Sequence, residues 1–584
     1  MLENYRSLYL FIFLLSLANK IHSQDIAKAL KSDFLTGSGN ISSSHTYNTA
    51  RGKPPSRLPY SFIYSGSIDF KILGEVSAPF NFVFSNLGNS YTQPTFNQTS
   101  LHPGYKWATL HLGSIAPSFS SYTVSGHMMN AVAIDLSPGK FSFSAFYGRL
   151  RKAVSYDTNA TSENLTPVYQ RKGYGLKASF RTNKSFNIGL ILFSALDKER
   201  SILYTSTPPT PNPQANNCAG INIQAPVYKR LSLSTEVAIS AYTENILAAK
   251  SSEQRFKHMH TNSTTGIYKA LKSSVDYKVG QTGLQLGYER IDPFYKTMGA
   301  YYFNNDLENI TVSIAQRLLR QKLNINITGG MQHDDLDKTK IKKMTRFVNN
   351  TNISYTPYKS TIINASYSDF LNYTNTRPLS ETVLVNNPYT SIDTFSYRQI
   401  SRNITCNLNQ IIKSDSIKNQ AILLTLCSQT SADLRNDILQ NSNTFTNGSI
   451  GYTHHHKKKA HNILLSLNLS QSELNNISII NLSPCFSYGR PVFKQGIKAS
   501  FTAFYTNSFI SGQFSGGTLN TRLQTNFTIA KKHNISFSAY LLQRQDQTRT
   551  SHYESGKQFR ELTITVNYTA GIDLFTIKNN LSKQ

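Results

Sequence analysis

The densest group of metal-capable side chains is His454-His455-His456, with His461 close behind. Zinc sites need three or four ligands converging on one point. On a strand, adjacent residues face opposite ways, so only His454 and His456 share a side. Two ligands are too few, and the sequence predicts a polar strand end without metal. His258 and His260 lie in a long polar stretch and carry the same expectation. Cys406 and Cys427 flank a hairpin turn symmetrically, but Cys406 falls with Ile404 and Leu408, and Cys427 with Thr425 and Gln429. A disulfide needs both residues on one face with Cα atoms within about 7 Å, so no bond is expected. No G-x-S-x-G, H-E-x-x-H or phosphate-binding glycine loop stands in the sequence, so neither an enzyme nor a cofactor is expected. Sequons such as Asn97-Gln-Thr and Asn326-Ile-Thr follow from the abundance of Asn, Ser and Thr.

What remains is charge and its placement. The 584 residues carry 60 Lys and Arg against 32 Asp and Glu, a net of +28. Charged residues are only 16% of the chain, below the roughly 25% of soluble domains. A basic excess of this size suits nucleic acid, an anionic membrane surface or anionic solutes. The N-terminus chooses among them. Arg6 precedes the apolar run Leu8–Ala18, and Ser23 is a small residue at a plausible cleavage point. Residues 1–23 therefore read as a Sec-type export signal, which argues against a nucleic-acid partner. No later apolar run reaches the ~20 residues of a membrane-spanning helix. The 33 Tyr and 33 Phe argue against a disordered chain.

The elements that must position the charges alternate. Leu562, Ile564, Val566, Tyr568, Ala570 and Ile572 share one parity; Thr563, Thr565, Asn567 and Thr569 share the other. The same alternation sets Ile535, Phe537, Ala539 and Leu541 against Asn534, Ser536 and Ser538. It sets Leu323, Ile325 and Ile327 against Asn324, Asn326 and Thr328, and Leu231, Leu233, Val237 and Ile239 against Ser232, Ser234, Glu236 and Ser240. Such segments are strands with one apolar and one polar face. They recur about every 21 residues, run longer than globular strands, and are joined by alternately short and long connections, as in outer-membrane barrels. Short connections include 228–230, 278–281 and 457–460; long ones include 195–216, 243–265 and 370–395. The expected fold is all-β: one closed antiparallel transmembrane barrel of about 26 strands, with 24 as the alternative. Short turns would face the periplasm and long loops the exterior. Residues 24–58 form an N-terminal segment with room for a first strand, 59–575 the barrel, and 576–584 a polar tail. Alternation slips between Trp107 and Ala153, either because a strand is missed or because 116–127 folds into the lumen.

The apolar parity should face lipid and the polar parity the interior. Inward basic residues are then Lys71, Lys177, Lys272 and Arg317, followed by Arg346, Lys498 and Arg522. Inward acids are Asp69, Glu236, Asp276 and Glu289. A modest cationic excess in a pore favours anionic solutes. After the export signal only about 35 residues, Gln24 to Leu58, precede the strand at Tyr60, too few for an autonomous plug domain of the kind TonB-dependent receptors carry.

Two stretches look familiar. One is LQLGYERIDPFYKTMGAYYFNNDLENI, residues 284–310. The other is 103–140, with YKWATLHLGSIAPSFSSYTVSGH and LSPGKFSFSAFYGRL. With PYSFIYSGSIDF and PFNFVFSN upstream, they resemble a family of outer-membrane β-barrel proteins from the Bacteroidota. The resemblance implies location and architecture, and brings no catalytic or ligand residue. Both stretches hold polar-aromatic loops, and long loops commonly carry function. The candidate constriction is Ser118, Tyr122 and His127 in one, and Arg290, Asp292, Tyr295, Tyr301 and Tyr302 in the other.

The expected function is a passive or loop-gated channel for polar solutes with mild anion preference. The alternatives are a structural or accessory barrel of an outer-membrane secretion or assembly complex, and a soluble secreted β-protein that binds glycans. Expected partners are outer-membrane lipid and lipopolysaccharide, the barrel assembly machinery during biogenesis, and an outer-membrane protein partner for the accessory role.

Overall fold

The computed structural model describes residues 32–52, 57–87, 97–155, 167–182, 186–202, 211–249, 262–301, 304–339, 345–371, 397–435, 438–474, 477–492, 497–530, 532–546 and 558–578. The predicted export signal and the pair His258 and His260 lie outside them.

Alternating sequence folds into long strands. The first nine are β1 (Leu35–Arg51), β2 (Tyr60–Ile72), β3 (Val76–Ser85), β4 (Gln98–Leu101), β5 (Gly104–Tyr105), β6 (Ala108–Ile115), β7 (Met129–Leu136), β8 (Phe141–Arg151) and β9 (Arg171–Thr182). Then come β10 (Phe186–Asp197), β11 (Ala215–Tyr228), β12 (Leu231–Thr243), β13 (Thr265–Val279), β14 (Thr282–Ile291), β15 (Leu307–Leu318), β16 (Leu323–His333), β17 (Thr345–Tyr355) and β18 (Thr361–Leu371). The last nine are β19 (Tyr397–Ser414), β20 (Lys418–Arg435), β21 (Ile438–His456), β22 (His461–Leu474), β23 (Ile477–Val492), β24 (Ile497–Ile510), β25 (Gln513–Ile529), β26 (His533–Asp546) and β27 (Gln558–Ile577).

Apart from β4 and β5, each strand pairs antiparallel with the next in sequence. β1 pairs with β27, Leu35 opposite Ile577 through to Arg51 opposite Arg560, which closes the sheet. β4 and β5 both lie between β3 and β6 and are one strand broken at His102-Pro103, because proline cannot donate to the ladder. The result is a closed antiparallel barrel of 26 strands. Closure leaves no unpaired edge.

The registers fix the two faces. Asn40, Ser67 and Asn81 stand side by side across β1, β2 and β3, and Thr563, Tyr540 and Arg522 across β27, β26 and β25. The opposite parity carries Leu190, Leu192, Val237, Ile239, Leu467 and Leu469, all exposed. Every alternation named above, from Leu231–Ile239 to Leu562–Ile572, puts its apolar member outward.

The connections differ from the expected alternation in one arc. At the long-loop end, β20–β21, β22–β23 and β24–β25 are joined by only two residues each, at 436–437, 475–476 and 511–512. Strands there reach 18 and 19 residues, as in β20 and β21. A membrane strand needs about 9–11, so the sequence that would make loops elsewhere extends the wall here.

Candidate functional site

The inner wall from β6 to β14 is unlike the rest. It carries Ile115, Met129, Ala131, Phe146, Ile191 and Phe193, all buried. Two connections cover it, 116–128 between β6 and β7 and 292–306 between β14 and β15. Tyr122, Thr123, Val124 and Tyr295 in them are at most 2% exposed. A buried side chain of this size contributes about 1.5–3 kcal/mol. The wall makes room with small residues. At Gly175 a Cβ would meet the Phe146 ring at 2.3 Å.

The loops hold each other. Val124 and Gly299 form a parallel β-bridge, with Ser125 N donating to Gly299 O at 2.9 Å. Thr297 donates to the Thr123 carbonyl at 2.6 Å and Tyr295 to the Tyr122 carbonyl at 2.8 Å. A Cβ on Gly299 would lie 2.3 Å from that Thr123 oxygen, so the bridge requires glycine.

They also hold the wall. Tyr122 Oη donates to Glu289 Oε1 at 2.5 Å, and its backbone N–H to Glu236 at 3.3 Å. Lys177 Nζ donates to the Phe119 carbonyl at 2.9 Å. Ser240 donates to the Lys296 carbonyl at 2.6 Å, and Met298 N–H to Asn216 at 3.0 Å. Burial, then the Glu289 carboxylate, push the Tyr122 phenol well up, so it stays a donor. Tyr122→Phe removes this hydrogen bond to a part-buried carboxylate, at a cost of about 1–3 kcal/mol. Hydrogen exchange at 118–128 is expected to quicken roughly 10- to 100-fold over wild type, with β20–β25 unchanged. Unchanged exchange in the loop contradicts this anchor.

His127 stacks on Tyr301, ring centroids 4.2 Å apart. Burial, then the nearby Arg171, hold its imidazole down to about 4. An undocked loop therefore takes up the proton first. Docking is at full strength above the ordinary histidine value of 6.5 and weakens as pH falls toward about 4. Exchange in 118–128, corrected for its chemical pH dependence, should be faster at pH 4.5 than at pH 7.5. His127→Phe, which keeps the stack, should remove part of that difference; an identical pH response in both proteins refutes the assignment.

The structure gives the candidate residues these places. Lys71, Lys177, Lys272, Arg317, Lys498 and Arg522 all lie on the inward parity, as do Asp69, Glu236, Asp276 and Glu289. Arg346 stands opposite Gln332; its side chain and Tyr302 are outside the described residues. Lys71 sits 3.9 Å from Asp69 and Lys272 4.0 Å from Glu289. Arg317, Lys498 and Arg522 have no carboxylate in ion-pair distance among the described residues. Ser118 is exposed and bridges Ser125. Asp292 accepts from Lys269 N at 2.8 Å, at the loop's root. Arg290 is a correction. Glu289 and Ile291 take the inward direction, so Arg290 points outward, 3.8 Å from Glu308, and lines no constriction. His454 and His456 likewise face outward; His454 stacks on His461 and His456 meets it tilted. Cys406 stands opposite Leu426 and Cys427 opposite Thr405, on opposite faces.

Sequence reading missed the cradle residues Asn216, Cys218 and Ser240, and the clamp in which Arg171 and Arg151 share Asp197 at 2.8 and 3.3 Å. A signal existed. Ile188-Gly-Leu-Ile-Leu-Phe193 does not alternate, and a continuous apolar run marks a strand covered on both faces.

A closed barrel with two loops bonded to its inner wall is the class of structure these residues define. No family model and no curated protein matches the chain. Among solved structures it is similar to the P pilus usher (PapC) translocation pore, at 10% identity and TM-score 0.34, covering 92% of this chain and 100% of that one. It is also similar to the FrpB iron transporter from Neisseria meningitidis, F5-1 variant, at 10% and 0.35, covering 94% and 84%. The outer membrane protein OprD from Pseudomonas aeruginosa matches at 9% and 0.32, covering 74% and 94%. Scores this low say nothing of what the chain carries or binds.

Proposed function

We propose that this chain is an exported bacterial outer-membrane barrel, solvated by lipid and lipopolysaccharide and inserted by the barrel assembly machinery. In this reading it is a loop-constricted channel for polar solutes with a mild anion preference, akin to the Bacteroidota barrels it resembles. The outward apolar band supports the location. Water would leave Leu190, Leu192, Ile221, Val237 and Ile239 unsolvated in one contiguous patch, whereas hydrocarbon suits them, and only helices and closed barrels satisfy every backbone group there.

The observation that carries the channel reading is the bonded pair of loops on one side of the interior. The arc from β15 through β27 to β3 keeps a Ser, Thr and Asn face, and Arg317, Lys498 and Arg522 stand on it with no carboxylate in ion-pair distance among the described residues. Solutes would pass between that arc and the loops. Planar-bilayer recordings of the purified protein test this. Discrete openings with a reversal potential of anion-selective sign are expected. A folded barrel that never conducts overturns the reading and favours the accessory role.

A further inference from the structure

The break between β4 and β5 gathers four polar side chains on the inner wall. Ser100 Oγ lies 2.9 Å from His102 Nε2; His102 Nδ1 lies 2.8 Å from His111 Nδ1; His111 Nε2 lies 2.8 Å from Asp135 Oδ2. Ser100 pairs with Gly113, and Asp135 with Ser144 in the row that contains Lys177, so the group faces the interior.

The proton positions follow from the acceptor at the end. An ionised carboxylate only accepts, so His111 Nε2 carries the hydrogen and its Nδ1 is bare when the ring is neutral. His102 Nδ1 must then donate, which leaves His102 Nε2 bare. Ser100 is left as the donor to it. The three bonds run one way, from hydroxyl to carboxylate, which is the polarity that makes a serine oxygen nucleophilic. The wall departs from regular pairing here in two ways. His102-Pro103 interrupts a strand, and Gly113 has φ +98°, where a Cβ would also meet Thr99 O at 2.3 Å, so the position calls for glycine. The register is kept across the interruption, so Ser100, His102, His111 and Asp135 share the inward face.

We infer that Ser100 is a nucleophile toward short-chain carboxylic esters that reach the barrel interior. His102 is the general base, and His111 and Asp135 are positioning residues. Ser100 Oγ attacks the ester carbonyl carbon while its proton passes to His102 Nε2. The bond from carbon to the alcohol oxygen breaks, and the alcohol leaves with that proton. Water, deprotonated by His102, then attacks the acyl group. The bond to Ser100 Oγ breaks, the hydroxyl recovers its proton, and a carboxylic acid departs. Water is the sole co-reactant. Ser100 is 9% exposed, flush with the wall, which limits the acyl group to an acetyl-sized one. The activity is independent of whether the barrel conducts.

The test uses the full chain in detergent, with folding checked by heat-modifiable electrophoretic mobility. A fluorophosphonate probe and 4-nitrophenyl acetate are the reagents. One phosphonyl adduct on Ser100 is expected by peptide mapping, absent in Ser100→Ala. His102→Gln should slow both reactions by roughly 100-fold or more. Asp135→Asn should slow them, and Asp135→Glu should recover most of the rate, a rescue that a merely structural carboxylate would not show. Folded wild-type protein without an adduct on Ser100 overturns the proposal, as does an adduct that forms equally fast in His102→Gln.

Discussion

Deleting residues 294–304 is expected to raise single-channel conductance several-fold and to abolish discrete closures. The segment contains Tyr295, Thr297 and Met298, which are buried between the wall and the other loop. Its removal takes away the partner of Val124 and both acceptor contacts at the Tyr122 and Thr123 carbonyls. The 116–128 connection then keeps its links to Glu289, Glu236 and Lys177 and the packing of Phe119 on Phe146. Both obstacles loosen from one deletion, so the effect exceeds the volume removed. Gly299→Val is a lighter form of the same experiment. It leaves chain length intact but drives a side chain into the Thr123 oxygen, and noisier, larger openings are expected. Conductance unchanged in both variants, with the barrel folded, means that the loops do not define the passage.

The second large effect concerns selectivity. In Arg317→Glu/Lys498→Glu/Arg522→Glu, the reversal potential across a salt gradient should change sign. Among the described residues these three cations have no carboxylate in ion-pair distance, so their fields reach the passage. Lys71 and Lys272 are offset by Asp69 and Glu289, and Lys177 is engaged with the Phe119 carbonyl. The Debye length is about 8 Å at physiological salt and about 30 Å at 0.01 M, so the inversion is largest in dilute salt. Lys177→Gln is the control and should leave the potential nearly unchanged. A triple variant that keeps the wild-type sign shows that permeating ions do not pass this arc.

Much of the architecture was legible because a barrel writes its period into every strand. Leu231–Ile239 and Leu562–Ile572 alternate cleanly, since one face meets an apolar surrounding and the other a polar interior. The same rule separates Cys406 from Cys427 and turns His454 and His456 the same way. The rule fails where a third layer intervenes. From β7 to β10 the interior is apolar, as at Met129, Ala131, Ile191 and Phe193, because loops cover it. Parity alone therefore slips between Trp107 and Ala153, and the interruption at Pro103 hides half a strand. Arg290 departs from the expectation for a simpler reason: it is the penultimate residue of β14, not the start of the loop, and its parity faces outward. The pairing of Val124 with Gly299, and of Ser100 with His102, His111 and Asp135, joins segments whose register no local pattern encodes.

The central claim is that hydrocarbon surrounds the outward face and water the inward one. Single tryptophans report this directly in a Trp107→Phe background, which removes the one native indole. With the protein in vesicles, Leu192→Trp and Leu467→Trp should be quenched by brominated acyl chains and shielded from iodide, while Thr502→Trp should show the reverse. Outward sites quenched by iodide and untouched by brominated lipid would contradict the account.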